Sequence, residues 1–238
     1  MPNITSRLAD IVGEVVLTSS TVTAVDRLTP NFALVDLACP SFRKARWTPG
    51  AKLQLRTSRG LQMRTYTPIR WDTDLGETTL LGWTREHGPG AQWFVGAAVG
   101  DECDVFGPRR SIDLTEAAGE VVFIGDEASI GLACALHTLG SSVRYVLEGV
   151  DTAEVTEVFA ASGLPSDRCT VVPAGPDRAQ LLAHAREAAD VASGDFDVVV
   201  TGNAATVHAV RRDARGWRRQ PRKVIGKAYW AEGRTGLD

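Results

Sequence analysis

The chain has 238 residues, of which 44% are hydrophobic and 23% charged, and its formal net charge is −3. That length accommodates one large domain or two small ones, and the weakly negative charge argues against a protein that is basic throughout and binds nucleic acid. The four cysteines are too widely spaced for a zinc or iron–sulfur site, so we expect buried thiols in a reducing compartment; they are Cys39, Cys103, Cys134 and Cys169.

Two further features of the sequence bear on its location. No segment approaches the roughly 20 consecutive apolar residues of a membrane span. The first residues, MPNITSRLADIVG, lack the basic start and unbroken apolar run of a secretory signal peptide. The sequence therefore predicts a cytoplasmic protein without membrane insertion, and we expect a monomer.

The first half of the chain has the pattern of a β-rich domain. Runs rich in Val, Leu and Thr are separated by Pro, Gly and Asn; they are EVVLTSSTVTAV, NFALVDLACP, AKLQLRTS, LQMRTYTPIR and ETTLLGWTREH. Many short strands at regular spacing are typical of a barrel or sandwich. A short helix is predicted over residues 91–98, and the strand-like run CDVFGP follows it. This block covers residues 1–116.

The pattern changes near residues 115–120. Continuous apolar runs and helical spacings then alternate. Strands are predicted over 120–125, 142–147, 169–173, 196–201 and 224–230, and helices over 128–140, 155–161, 179–192 and 205–217. Strand–helix alternation indicates a doubly wound parallel sheet in residues 117–238.

The motif Arg64-Thr65-Tyr66-Thr67 ends a predicted strand of the first block. Alternate side chains of a strand point to the same side, so Arg64 and Tyr66 are predicted to face one way. A barrel followed by an α/β domain of this type is commonly a nicotinamide-dependent flavin reductase. In such a protein an arginine can hold the pyrophosphate with two parallel hydrogen bonds, and a tyrosine ring can pack on the flavin. Thr67 can hydrogen-bond the flavin N5 edge, where hydride arrives, and is our candidate catalytic residue. The alternative is an ordinary strand with alternating polar residues.

A glycine-rich stretch joins a predicted strand to the predicted short helix. Glycines allow backbone N–H groups to approach a phosphate closely, and a helix N-terminus favours anions. His87 can hydrogen-bond a cofactor or can be a plain loop residue. The candidate cofactor-binding residues of this stretch are His87, Gly88, Gly90, Ala91, Gln92 and Trp93.

Two glycine-bearing turns follow the first and fourth predicted strands of the second block. Both are expected at the carboxyl edge of the sheet, where such sheets bind ligands. The first is not a GxGxxG fingerprint, and a simple helix cap is the alternative; together the two turns favour a nicotinamide nucleotide site. The candidates are Gly125, Asp126, Glu127 and Ser129 in the first turn, and Thr201, Gly202 and Asn203 in the second.

Four segments taken together resemble the siderophore-interacting protein family: RTYTPIR, HGPGAQW, GDEAS and the ending KAYWAEGRTGLD. These proteins are flavin-dependent ferric-siderophore reductases of the ferredoxin–NADP reductase superfamily. The resemblance implies an N-terminal antiparallel Greek-key barrel that binds FAD, followed by a doubly wound parallel-sheet domain that binds NADPH or NADH. The implied substrate is a ferric siderophore, an anionic iron chelate whose reduction releases Fe(II).

The resemblance also assigns roles to individual residues. It implies that Lys52, Arg109 and one C-terminal base, Lys227 or Arg234, receive the chelate. Tyr229 and Trp230 shield the flavin or, equally, are core aromatics. The sequence departs from the family at two places. Relatives carry a small hydroxyl residue at the position of Gln92, and they are apolar where this chain has Trp-Thr-Arg-Glu at 83–86. Arg85, in the second of these places, is a further candidate cofactor-binding residue.

The identity of the electron donor stays open at the level of sequence. A basic stretch over residues 211–223 is interpreted as a solvated helix face that can include a group for the 2′-phosphate of NADPH. Glu148 and Asp151, after the second predicted strand, favour NADH instead, since a carboxylate there binds the ribose hydroxyl. Two other functions also remain: a flavin reductase that serves another small-molecule or protein acceptor, and a non-enzymatic flavin- or siderophore-binding protein.

Overall fold

The computed structural model describes residues 17–57, 63–85, 88–117 and 119–234. Its first half is an antiparallel sheet whose strand order is β4-β3-β7-β1-β2-β6-β5. The strands are β1 (Thr18–Thr29), β2 (Phe32–Ala38), β3 (Lys52–Arg56), β4 (Met63–Tyr66), β5 (Pro68–Asp72), β6 (Glu77–Trp83) and β7 (Glu102–Arg109). The two outermost strands, β4 and β5, are separated in sequence only by Thr67, so the sheet curls round into a barrel. The predicted barrel is confirmed.

The barrel core follows from alternation along its strands. In β2 and β3 the apolar side chains point inward, and Val35, Leu37, Leu53 and Leu55 are fully buried. The short helix α1 (Pro89–Gly96) covers one end of this core with Phe94. It begins two residues before the predicted start because Pro89 suits the first helical position, where a missing N–H costs nothing.

The second half is a parallel sheet with strand order β10-β9-β8-β11-β12. The strands are β8 (Glu120–Gly125), β9 (Ser142–Gly149), β10 (Cys169–Pro173), β11 (Phe196–Asn203) and β12 (Val224–Trp230). Four helices connect them: α2 (Ile130–His137), α3 (Thr152–Ala161), α4 (Ala179–Asp190) and α5 (Ala204–Asp213). All six residues of β8 are buried, as its continuous apolar run predicts. The doubly wound sheet is confirmed.

Two predicted helices include a 3₁₀ turn in the structure, and the other two differ at one end: α3 begins at Thr152 rather than 155, and α4 ends at Asp190 rather than 192. The first predicted helix, over 128–140, consists of a 3₁₀ turn (Glu127–Ser129) followed by α2. The last, over 205–217, ends at Asp213 and gives way to a 3₁₀ turn (Ala214–Gly216). There the Asp213 carboxylate accepts a 2.7 Å hydrogen bond from the indole of Trp217, which draws the chain back toward the helix. Further short 3₁₀ segments lie at Pro40–Lys44, Leu114–Glu116 and Ser166–Arg168.

The barrel and the parallel sheet share a hydrophobic interface. Phe32 and Ile112 from the first half lie in one cluster with Phe123 and Ile130 from the second. Helix α2 packs closely against the start of β5. A Cβ added to Gly131 would lie only 3.4 Å from the carbonyl oxygen of Thr67, the residue before β5. This packing brings the end of β4 next to the carboxyl edge of the parallel sheet. Among the described helices, none is both long and apolar enough to cross a bilayer.

Candidate functional site

A cavity of about 180 Å³ opens between the barrel and the carboxyl edge of the parallel sheet. Its walls come from the RTYT segment, β6, the turn after β8 and the last strand β12. The lining residues are Thr65, Tyr66, Thr67, Leu81, Trp83, Ser111, Glu127, Ala128, Gly131, Lys227, Tyr229 and Trp230. The fold thus brings three separately predicted segments to one place. The sequence did not single out five of these residues as site residues: Leu81, Trp83, Ser111, Ala128 and Gly131. Ala128 lies within the predicted turn after β8, and Gly131 closely follows it.

The RTYT segment places Arg64 and Tyr66 on the side of helix α1. A Cβ added to Gly90 would lie 2.2 Å from the Tyr66 hydroxyl and 3.4 Å from Cγ of Arg64, which confirms that both side chains face one way. The Tyr66 ring contacts Phe94 edge-on at 5.0 Å. Burial raises the pKa of Tyr66, with Arg64 opposing the shift, so Tyr66 stays a neutral phenol.

Thr67 meets the last strand at Tyr229. Their hydroxyl oxygens are 3.5 Å apart. Burial raises the pKa of Tyr229 to about 12, and hydrogen bonds with Thr67 and Thr201 oppose the rise. Tyr229 packs against the shared core cluster and also lines the cavity. The position of Tyr229 is therefore compatible with both predicted roles, because one part of the residue packs in the core and another part lines the cavity.

The turn after β8 is organised by the buried Asp126 carboxylate. Oδ1 accepts from the Ala128 N–H and the Ser129 hydroxyl, both at 3.1 Å. Oδ2 accepts from the Asn203 N–H and the Trp230 indole, both at 2.8 Å. Burial raises the pKa of Asp126 to about 7, against the hydrogen bonds that favour its charged form. The capping alternative therefore describes Asp126 and Ser129, whose buried side chains face the protein rather than the cavity.

Glu127, the next residue, faces the cavity and also ties the turn to β9. Its carboxylate accepts a 2.7 Å hydrogen bond from the Val150 N–H. Burial raises the pKa of Glu127; the Val150 hydrogen bond and, to a smaller extent, the Arg85 guanidinium oppose the rise. A nucleotide at this turn would therefore meet the side chain of Glu127 and the backbone around Ala128.

The second turn, after β11, is packed against the first. Thr201 and Gly202 are buried, and Asn203 caps α5 by accepting the Ala205 N–H at 2.8 Å. Gly202 has φ +101°, and a Cβ there would lie 2.2 Å from Asp126 Oδ2. Only glycine allows this close approach. The two predicted turns thus form one unit, with Asp126 as its centre.

The glycine-rich stretch lies at the start of α1. Gly90 and Ala91 are buried, whereas Gly88, Gln92 and Arg85 are exposed. Trp93 is half-buried and packs edge-on against Phe94 at 4.9 Å. His87 lies outside the described residues.

The predicted chelate-binding bases lie on connected surfaces. Lys52 is directly paired with Arg109 across β3 and β7. Lys52 is buried, whereas Arg109 is exposed and donates a 3.1 Å hydrogen bond to Gln54 Oε1. Lys227 donates a 2.7 Å hydrogen bond to Ser111 and lines the cavity. Arg234 is exposed and does not line it, so Lys227 is the C-terminal base near the site.

A second cavity, of about 300 Å³, adjoins the first at Ser111. Arg46, Arg109 and Arg110 all contribute to its wall. Arg46 and Arg110 were missed in the sequence, although Arg110 directly follows a predicted residue. Arg110 is ion-paired at 3.4 Å with Asp113 of the same wall, and the opening keeps a net positive charge that attracts anions.

The basic stretch after α5 has mainly structural contacts. Arg222 forms an ion pair with the buried Asp197 at 2.6 Å, and Arg219 hydrogen-bonds backbone carbonyls near residue 192. Asp197 is near the beginning of β11, at the edge of the sheet opposite the cavity. Asp151 caps α3 by accepting the Ala153 and Glu154 N–H groups. The stretch around Arg222 is therefore not placed to select the nucleotide, whereas Asp151 lies just beyond the carboxyl end of β9.

The residues present fit a bound FAD. A guanidinium (Arg64) and the glycine-bearing start of α1 offer donors for a diphosphate. Gly88 has no atom within 4 Å of an added Cβ, so the backbone there is open to a ligand. The cavity beyond Tyr66 is walled by aromatic rings and hydroxyls, which suit a flat, polar-edged ring system.

Comparison with known proteins agrees with this description. Residues 49–112 match the sequence model of the siderophore-interacting FAD-binding domain, which confirms the resemblance and the FAD-binding character of the barrel. That stretch includes Lys52, the RTYT segment and Arg109. None of the curated proteins compared with the chain matches it.

Solved structures share the fold over nearly the whole chain. A siderophore utilization protein from T. fusca is 26% identical, with a TM-score of 0.71; the match covers 93% of this chain and 96% of that one. Phthalate dioxygenase reductase is 17% identical, with a TM-score of 0.70, over 92% of this chain and 70% of that one. Full-length CYP116B46 from Tepidiphilus thermophilus is 19% identical, with a TM-score of 0.70, over 91% of this chain. The chain spans only 29% of that last protein.

Proposed function

We propose that this protein is an FAD-dependent, NAD(P)H-driven reductase that converts a ferric siderophore to its Fe(II) form and so releases the iron. Residues 1–116 are the flavin-binding unit and residues 117–238 the nicotinamide-binding unit. The observation that carries the proposal is the cavity in which RTYT, the turn after β8 and the Tyr229-Trp230 pair meet. Support comes from the match of residues 49–112 to the siderophore-interacting FAD-binding domain, since these residues include the RTYT segment.

Bound FAD supplies the ability to accept two electrons together as hydride and to deliver them singly. Arg64 and the start of α1 would hold its diphosphate. Thr67, whose hydroxyl lies 3.5 Å from that of Tyr229, would offer a hydrogen bond to the bound ring. Tyr229 and Trp230, which line the cavity, would shield the ring from water.

The reaction balances without a protein acid or base at the iron. One NAD(P)H is oxidised, two Fe(III) ions are reduced to Fe(II), and one proton is released. Arg109 and Lys227 attract the anionic chelate to the edge of the cavity, with Arg46 and Arg110 extending the positive surface. Lys52, buried beside Arg109, adds its charge from beneath that surface. Siderophores hold Fe(II) far more weakly than Fe(III), so reduction frees the metal.

An anaerobic absorbance titration tests the proposal. Purified protein loaded with FAD receives NADH or NADPH, followed by a ferric tris-catecholate. We expect one donor to bleach the flavin band, and the band to return as Fe(II) is trapped by a colorimetric chelator.

The other outcomes separate the two alternatives. Bleaching without recovery on adding the chelate indicates a flavin reductase with another acceptor. Full FAD binding without bleaching by either donor indicates a binding protein. If the protein takes up no FAD, the whole proposal is overturned, beginning with the assignment of Arg64 to the diphosphate of FAD.

A further inference from the structure

Three polar side chains meet at the carboxyl edge of the parallel sheet, outside the cavity. They are Glu148 at the end of β9, Arg178 just before α4, and Thr206 in the first turn of α5. The Thr206 hydroxyl donates to Glu148 Oε1 at 2.6 Å, and Arg178 Nε donates to the Thr206 oxygen at 2.6 Å. Arg178 Nε also lies 3.9 Å from Glu148 Oε1. The cluster joins three separate connections of the sheet.

Arg178 is held in an unusual backbone conformation. Among the described residues it alone, apart from glycines, has a positive φ, with φ 57° and ψ 23°. Glycine or asparagine is the usual occupant of that region, because a Cβ is crowded there. Its guanidinium is fixed further by a 3.1 Å bond from Nη1 to the Pro176 carbonyl. An arginine is thus fixed in place by two acceptors and by its backbone.

The two charged groups of the cluster differ in accessibility. The Glu148 side chain is 7% exposed and the Arg178 side chain 18%. Glu148 Oε1 is already occupied by Thr206. Within the described part of the chain no acceptor is found for Nη2 of Arg178. An incoming ligand at this edge therefore meets the guanidinium before the carboxylate.

We propose that Arg178 binds the 2′-phosphate of NADPH and gives this chain a preference for NADPH over NADH, an inference that rests on the proposed function. A carboxylate at the end of the second strand ordinarily binds the ribose hydroxyl of NADH, whereas an arginine nearby accommodates the 2′-phosphate. Here the carboxylate is buried and hydrogen-bonded to Thr206, and it orients the arginine through that hydroxyl. Phosphate then receives charge-assisted hydrogen bonds.

The test compares two probes that lack nicotinamide: adenosine 2′,5′-bisphosphate and AMP, titrated by calorimetry into the FAD-loaded protein. We expect the bisphosphate to bind at least about 10-fold more tightly to the wild type. Arg178→Asn keeps a residue that tolerates the left-handed conformation. It is expected to weaken bisphosphate binding about 10- to 100-fold and to leave AMP binding nearly unchanged.

Arg212→Gln is the matched control, because it removes the same charge from an exposed position near the end of α5. It is expected to keep the wild-type preference. Equal binding of the two probes by the wild type, or an unchanged preference in Arg178→Asn, overturns the assignment. If NADH still bleaches the flavin in that case, the proposed function stands. A protein that discriminates through Arg178 but is reduced by neither donor keeps the 2′-phosphate site and loses the reductase function.

Discussion

The indole N–H of Trp230 donates a 2.8 Å hydrogen bond to Oδ2 of Asp126. It joins the end of the last strand, β12, to the turn after β8, and it passes over Gly202 at the end of the intervening strand, β11. Because Trp230 lines the cavity, this bond fixes one wall of the site from a buried carboxylate. Asp126 therefore acts as a positioning residue.

Gly202→Ala tests how tightly this unit is packed. The new Cβ would lie 2.2 Å from Asp126 Oδ2 at a φ of +101°. We expect a loss of about 3 kcal/mol in the free energy of unfolding, from backbone strain together with overpacking. Urea unfolding followed by circular dichroism measures it. Gly216→Ala, where an added Cβ meets nothing within 4 Å, is the control, and an equal effect of the two substitutions would contradict the packing argument.

Asp126 also predicts a pH dependence of stability. Burial raises its pKa from 3.8 to about 7, so the folded protein retains a proton that the unfolded chain releases. Its contribution is therefore fully present below about pH 4 and is lost as the pH rises through 7. Unfolding free energies of wild type and Asp126→Asn, measured from pH 5 to pH 7, give the slope. We expect their difference to change by up to about 1.4 kcal/mol per pH unit, with the wild type losing stability as pH rises; parallel curves would refute this.

Gly90→Ala is expected to weaken FAD binding. Alanine normally stabilises a helix relative to glycine by about 0.5–1 kcal/mol, but here the methyl group would displace the Tyr66 hydroxyl and crowd Arg64. A fluorescence titration of the apoprotein with FAD should show at least about a 10-fold loss, corresponding to roughly 1.4 kcal/mol. Adding Tyr66→Phe removes the atom that clashes. Partial recovery in the double variant is expected, and its absence would point to a different cause.

The Glu154 carboxylate connects the two halves of the molecule. From α3 it accepts hydrogen bonds from the Thr29 hydroxyl at 2.7 Å, the Asn31 N–H at 3.0 Å and the Asn31 amide at 3.0 Å. Glu154→Ala should reduce stability by about 2 kcal/mol, because several donors lose a charged acceptor. Chemical unfolding measures the loss. Glu157→Ala, in the same helix and exposed, should have little effect; comparable losses would mean that helix propensity rather than the connection was responsible.

Lys227→Gln should reduce electron transfer to the chelate while sparing flavin reduction. Lys227 lies at the cavity beside Ser111, and its charge attracts an anion to the site. We expect kcat/KM for a ferric tris-catecholate to fall about 10-fold at low salt, corresponding to roughly 1.4 kcal/mol. The difference from wild type should shrink at high salt, since screening removes the attraction. The rate of anaerobic flavin bleaching by the donor is the internal control, and a loss confined to that step would contradict the assigned role.

The sequence by itself determined the two-part architecture. Period-two alternation with turn residues predicted the barrel, and apolar runs such as 120–125 predicted the buried parallel strands, because burial on one or both faces imposes those patterns locally. The motif at 64–67 likewise predicted which side chains face together, since strand geometry alone decides it.

Only the tertiary structure decided which residues share the cavity. Ser111 and Gly131 have no local signal. Gly131 reaches the site through the packing of α2 against the start of β5, and Ser111, which follows β7, reaches it beside Lys227 of β12. The same holds for the turn residues: a sequence shows Asp126 after a strand but not that Asn203 and Trp230 donate to it from distant segments. The arginines after α5 looked available in the sequence, but most are engaged at the far end of the sheet, whereas Arg178, which no pattern singled out, lies at its carboxyl edge. Contacts between segments far apart in sequence depend on the closed fold, and for that reason local periodicity predicts the elements and not the site.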